Sequence, residues 1–141
     1  MNGIFLDTGY LIALVNKKDD LHKIAIDTSR KFHGPFLTTQ LILVEIANSL
    51  SLPGNRNLAI NIIEKMKADP QTTVVLFSSE GFEKALAFYK KRPDKSWGMI
   101  DCFSFIAMEE FGIKEALTFD EHFKQAGYST PLLEKNRIPE I

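Results

Sequence analysis

Four carboxylates stand where carboxylates are costly. Asp7 closes the apolar stretch "IFL" and precedes Thr8-Gly9 and a second apolar stretch; Glu45 interrupts "LILVEIA". Asp101 interrupts "WGMIDCFSFIAM", and Asp120 follows "EALTF" in "TFDEHF". Most of the other acids among the eighteen lie on mixed, polar faces. Carboxylates crowded together in an apolar setting repel one another, and one held alone there takes up a proton. A hard divalent cation relieves both problems. Mg²⁺ is bound through one or two carboxylates, keeps several waters and accepts phosphate oxygens. Two such ions about 3.5–4 Å apart can generate hydroxide, hold a phosphate and stabilise a leaving oxygen. Such chemistry needs no histidine or cysteine.

Each acid also has a purely structural reading. Asp7 and Asp120 each precede a helical pattern and suit an N-cap. Asp101 lies in the first turns of its helix, where the macrodipole favours an acid. Glu45 shares a helical face with Asn48, Ser49 and Leu52, as part of a polar stripe would. Four unrelated caps, however, have no reason to converge. Two of these acids close strands and two lie within strongly apolar helices, so all four can project to one end of a sheet. Ligands of open α/β sheets bind at that end.

The elements that must position them alternate along the chain. Ile4-Phe5-Leu6 reads as a buried strand, and Thr8 to Val15 as a helix ended by "NKKDD". A polar-faced helix follows from Leu21 to Phe32, then Gly34-Pro35 as punctuation and the strand Phe36-Leu37-Thr38. Thr39 suits the N-cap of the helix "QLILVEIANSLSL", and Pro53-Gly54 stops it. "RNLAINIIEKMKA" is the next helix, Thr73 to Phe77 a β-branched strand, and Ser79 opens a helix with Glu80, Phe82, Glu83, Leu86 and Tyr89. "RPDKSWG" reads as a loop, Met99 to Glu110 as a helix, Glu115 to Thr118 as a strand and Glu121 to Ala126 as a short helix; "TPLL" suits a last short strand. Alternating strands and helices call for an α/β fold, a parallel sheet covered on both faces. No repeat, low-complexity segment or linker divides residues 1–141, so one domain is expected.

Bulk properties exclude several classes. A net charge of −1 leaves no broad basic face, so affinity for nucleic acid must come from local patches or bound metal. Cys102 is the only cysteine, which rules out an intrachain disulfide and suits a reducing compartment. Neither a signal peptide nor an apolar run near the roughly 18 residues of a membrane helix is visible, so a cytoplasmic, soluble domain is expected.

Secondary candidates carry weaker signals. Cys102 sits among Ile100, Phe103 and Ile106 without an activating base and reads as a core thiol. His122 could reach a metal or phosphate beside Asp120, yet an exposed helix position is the ordinary expectation. Trp97 suits an anchor for the Asp101 helix better than a platform for a base. Lys90, Lys91, Arg92 and Lys95 form the densest basic run, from which Arg92 and Lys95 could guide a phosphate backbone. Asp94 lies near the third acid and could support it from outside, but it is not counted as a site residue.

Taken in order, "IFLDTGYLIAL", "DDLHKIA", "LTTQLILVEIANSL", "DKSWGMIDCFSFIAM" and "ALTFDEHF" resemble the PIN-domain family, most closely its small VapC-type ribonuclease toxins. The resemblance runs from about Ile4 to Leu133. It implies a three-layer α/β/α fold and Mg²⁺- or Mn²⁺-dependent hydrolysis of RNA phosphodiesters. The family's four acids match Asp7, Glu45, Asp101 and Asp120 as catalytic and metal-binding residues, and Thr118 matches a supporting hydroxyl. A small cognate antitoxin and a homodimer are further implications. Gly9 departs from the Ser or Asn commoner at its position, but removes no carboxylate. Two other readings are open: a receiver-like or phosphatase-like acidic domain, and a non-catalytic RNA- or protein-binding PIN module. A phosphatase wants a second Asp two residues past Asp7, where Gly9 stands, and a receiver wants adjacent acids after its first strand.

Overall fold

Short β-branched and apolar segments make the centre. Ile4–Leu6 (β1), Phe36–Thr39 (β2), Thr72–Val75 (β3) and Glu115–Leu117 (β4) form a sheet in the order β3-β2-β1-β4. All three pairings are parallel, with Ile4 opposite Phe36 on one side and Glu115 on the other. The computed structural model describes residues 2–135. Parallel neighbours need crossovers, and helices supply them. The steps from β1 through β2 to β3 carry Thr8–Val15 (α1), His22–Ser29 (α2), Gln40–Ser49 (α3) and Arg56–Ala68 (α4). The return from β3 to β4 carries Ser79–Lys91 (α5) and Met99–Glu110 (α6). Right-handed crossovers put outward and return helices on opposite faces, which gives three layers. The strand order reverses at β1: the chain leaves it toward β2 and comes back on its other side as β4. A ligand crevice is expected beyond its carboxyl end.

The core runs through the sheet. Phe5, Leu37, Ala116 and Leu117 are fully buried. Phe105 of α6 holds the aromatic part of the return layer, its ring centroid 5.1 Å from Phe123, 5.2 Å from Trp97 and 5.7 Å from Tyr128. Trp97 is itself buried, stacks on Phe88 and donates its indole N–H to Gln125 at 3.2 Å. It therefore anchors the entry to α6, as its position in the sequence suggested.

Element boundaries follow local partners. Thr39 accepts the Ile42 amide at 3.1 Å and caps α3, which stops at Ser49, ahead of Pro53. Ser78 caps α5 by accepting from Gly81 at 3.0 Å. β3 lies one to two residues earlier than its β-branched run suggests, because its register on β2 pairs Thr72 with Phe36 and Val75 with Thr39. α2 is shorter than the expected 21–32, since Lys31 turns back to bond the Thr28 carbonyl. "TPLL" is not a strand. Pro131–Lys135 is a short helix (α8), with proline in its favoured first turn and Leu132 fully buried. Extended pairing in this region is a single bridge between Ser129 and Glu115.

Truncating the aromatic hub should be expensive. Phe105→Ala is expected to destabilise the chain by about 3–5 kcal/mol in urea denaturation. Leu52→Ala, at a site 70% exposed, should cost less than about 0.5 kcal/mol.

Candidate metal centre

The sheet's carboxyl edge delivers its side chains to one place. Asp7 directly follows β1, and its backbone amide extends the ladder to the Leu117 carbonyl at 3.1 Å. Thr118 directly follows β4 and is fully buried. Its hydroxyl donates to Asp7 Oδ2 at 2.6 Å and accepts the Asp120 amide at 2.9 Å. Asp120 opens the short helix Glu121–Gln125 (α7), where its Oδ1 accepts the His122 amide at 2.9 Å. Asp101, in the first turn of α6, reaches back through Oδ2 to the Gly98 amide at 3.2 Å and meets His122 Nδ1 at 2.8 Å. Glu45, on α3, accepts the hydroxyl of Thr8 through Oε1.

Asp7, Glu45, Asp101 and Asp120 line a single open cleft of about 610 Å³, with Thr8, Ser49, His122 and Gln125 among the other walls. The contacts above engage one oxygen of each carboxylate. The second oxygen has no side-chain hydrogen bond among the described residues. Asp7 occupies an N-cap position but makes no side-chain cap, so helix capping does not account for its carboxylate. Asp120 does cap α7 and lines the cleft as well.

Burial dominates the electrostatics. Asp7 is 8% exposed, and burial pushes its carboxyl up to about 7 against the hydrogen bonds of Thr118 and the Thr8 amide; the charges of Asp120 and Glu45 push the same way. Asp101 is raised above the ordinary carboxylate range, again chiefly by burial, with the His122 contact opposing. Such groups suit a hard divalent cation, which would replace the missing water and balance the charge. Asp101, Asp120 and His122 offer ligand atoms within 4.8 Å of one another. Asp7 and Glu45 line the same cleft outside that triad.

Several side chains lie elsewhere than their sequence positions suggested. His122, expected on an exposed face, is partly buried against Asp101. Its two-residue offset from a helix-capping Asp120 was the available signal, because both then sit at the same helix end. The contact of Thr8 with Glu45 had no signal, since it joins residues 37 positions apart. Asp94 does not support Asp101: it is engaged by Arg92 at 3.1 Å. Arg92 and Lys95 lie over the Trp97 ring, at 4.9 Å and 5.9 Å from its centroid, outside the residues that line the cleft. Trp97 is 4% exposed, too covered to stack on a base. The Cys102 thiol is buried, and burial raises its pKa, the opposite of what a nucleophile needs. A Cβ at Gly9 would meet Phe119 at 3.7 Å, an ordinary contact, so the missing side chain there is not a demand of space.

The family model for the PIN domain matches residues 4–127. The chain belongs to the PIN-domain family. No curated protein sequence matches this PIN domain. Among solved structures, the fold matches VapC20 of Mycobacterium tuberculosis with a TM-score of 0.80 at 23% identity, over 89% of this chain and 95% of that one. FitAcB of Neisseria gonorrhoeae matches at 0.63 and VapBC2 of Rickettsia felis at 0.61, both at 12% identity over 90% of this chain and 95% of theirs. The three-layer α/β/α expectation therefore holds for this PIN domain, and its fold is VapC-like.

The burial of Asp7 has a measurable signature without metal. Folded Asp7 keeps its proton to about pH 7, whereas the unfolded chain releases it near 3.8. The native state then holds more protons across that window, so stability falls as pH rises from about 4 to about 7. By linkage the loss is at most on the order of 4 kcal/mol. Urea denaturation in EDTA should find Asp7→Asn more stable than wild type at pH 8 and nearly equal to it at pH 4. Equal stability at both pH values would show that the carboxylate carries no such strain.

Proposed function

We propose that this PIN domain is a metal-dependent endoribonuclease, the toxin of a toxin–antitoxin pair acting in the cytoplasm. One observation carries the reading: four carboxylates from four separate elements line one cleft, each with an oxygen that no other side chain engages. Asp7, Glu45, Asp101 and Asp120 would hold Mg²⁺ or Mn²⁺, directly or through water. When bound, the ion lowers the pKa of water and offsets charge on the phosphate. The chain's own residues would then fix the geometry. Thr118 locks Asp7 and Asp120 relative to each other, Thr8 orients Glu45, and the α6 N-terminus carries Asp101 to the phosphate. Attack by water in line with the leaving oxygen leaves a 5′-phosphate and a 3′-hydroxyl. Arg92 and Lys95, on the loop that delivers Ser96 to His122, would steady the RNA backbone.

Two further supports concern partners. VapC20, which shares the fold, is a sarcin-ricin loop cleaving toxin, and the R. felis VapBC2 is bound to a fragment of promoter DNA. An antitoxin segment would lie in the largely apolar groove of about 420 Å³ between α1, α2 and α4, against Leu11, Leu14, Ile26, Ile62 and Met66. A homodimer of the chain belongs to the same proposal. No helix among the described residues is long and apolar enough to cross a membrane.

Purified protein should cleave RNA with Mg²⁺ or Mn²⁺ and lose that activity in EDTA. Asp7→Asn and Asp101→Asn should each lower the rate by on the order of 100-fold or more while remaining folded. Cleavage undiminished by chelator sinks the metal mechanism. In cells, expression should arrest growth, and Asp101→Asn should relieve the arrest. Equal harmlessness of wild type and variant would remove the toxin reading while leaving the nuclease one standing.

A further inference from the structure

His122 makes more contacts at the cleft than any carboxylate there requires of a neighbour. Nδ1 lies 2.8 Å from Asp101 Oδ2 and 3.4 Å from Asp120 Oδ1, and Nε2 lies 3.3 Å from Ser96 Oγ. Its backbone amide is held by Asp120 at 2.9 Å. One tautomer satisfies both ring contacts: Nδ1–H donates to Asp101, and unprotonated Nε2 accepts from the Ser96 hydroxyl. Ser96 belongs to the loop that leads into α6, whereas His122 belongs to α7. The imidazole therefore clamps the loop before α6 and the first turn of α6 onto the helix that Asp120 begins.

We propose that His122 is a positioning residue for the metal centre, acting through Asp101. The inference rests on the nuclease reading above. Asp101 Oδ2 is fixed from two directions, by the Gly98 amide at 3.2 Å and by His122. Rotation of the carboxylate about its own axis is then blocked, and Oδ1 is the oxygen left for a cation. Without the imidazole, the Gly98 amide alone holds Oδ2, and the carboxylate can swing or turn both oxygens to water. Direct ligation by His122 competes poorly with this arrangement, because both ring nitrogens already have partners in the chain. An outer-shell contact of this kind typically contributes 10–100-fold to metal affinity.

Metal binding tests the role without substrate. Mn²⁺ is titrated into the metal-free, full chain, and the free ion is read by electron paramagnetic resonance. The variants are His122→Ala, His122→Asn and Ser96→Ala, each checked for folding by circular dichroism. Asparagine places an amide N–H near the position of Nδ1 but has no second ring nitrogen. His122→Ala should bind Mn²⁺ about 10–100-fold more weakly than wild type. His122→Asn should recover to within a few-fold, and Ser96→Ala should fall between wild type and His122→Ala. Should His122→Ala not fold, the comparison of His122→Asn with wild type carries the test. Wild-type affinity in His122→Ala overturns the proposal. Equal weakness in folded Asn and Ala variants also overturns it, since the imidazole would then be the ligand itself. Absence of Mn²⁺ binding by wild type removes the metal reading and this inference together, whereas either of the preceding results removes only the inference.

Discussion

Like charges held close together in a half-dry cleft set the terms for everything around them. At about 4 Å and an effective dielectric near 20, two carboxylates repel by roughly 4 kcal/mol before any proton is taken up. Hydrogen-bond donors hold one oxygen of each. Thr118 and Thr8 supply hydroxyls, His122 supplies a ring N–H to Asp101 and a backbone amide to Asp120. None of these donors brings a compensating full charge from lysine or arginine. The cleft therefore remains negative and short of counter-charge, which is the state a cation site needs and a salt-bridged surface lacks.

The sheet topology makes such a gathering possible. The strand order among the described residues reverses at β1, with β2 laid down on one side of it and β4 on the other, so its carboxyl end opens between two layers of helices. Asp7 emerges from β1 itself, and Thr118 and Asp120 emerge from its partner β4. Glu45 and Asp101 come from helices α3 and α6, which pack near one another. Core packing and cleft geometry are thus linked through Phe105, whose ring touches both the Trp97 anchor and Phe123 of α7. A shift in that contact would move Asp101 and Asp120 together.

Much of this is legible in the sequence. The β1 pattern at Ile4–Leu6, the cap at Thr39 and the helix at Met99–Glu110 are local signals, and local signals are what a sequence displays. The four acids were recognisable because each breaks an apolar run, and all four line one cleft. The failures were of another kind. "TPLL" has the composition of a strand, but pairing on the outer edge of β4 stops at the Ser129 bridge, and proline suits a helix start. His122 was undervalued because exposure depends on what packs against α7, and Ser96 and Asp101 arrive from a distant part of the chain. Asp94, near Asp101 in sequence but not counted as a site residue, is captured by Arg92, and nearness in sequence alone does not disclose that partner. The tail after Glu134 carries no readable pattern, and its residues 136–141 lie outside the described structure.

The hydrogen bond from Thr118 to Asp7 joins positions 111 residues apart. Until β4 exists, β1 has a bare edge, Asp7 has no hydroxyl to hold it, and Asp120 has no strand to leave from. A chain still being made on a ribosome thus presents three of its acids with no cleft to share. Assembly of the centre therefore waits until β4, Thr118 and Asp120 have been made. For an enzyme proposed to cut RNA, that ordering keeps the nascent chain inert beside the RNA that is making it.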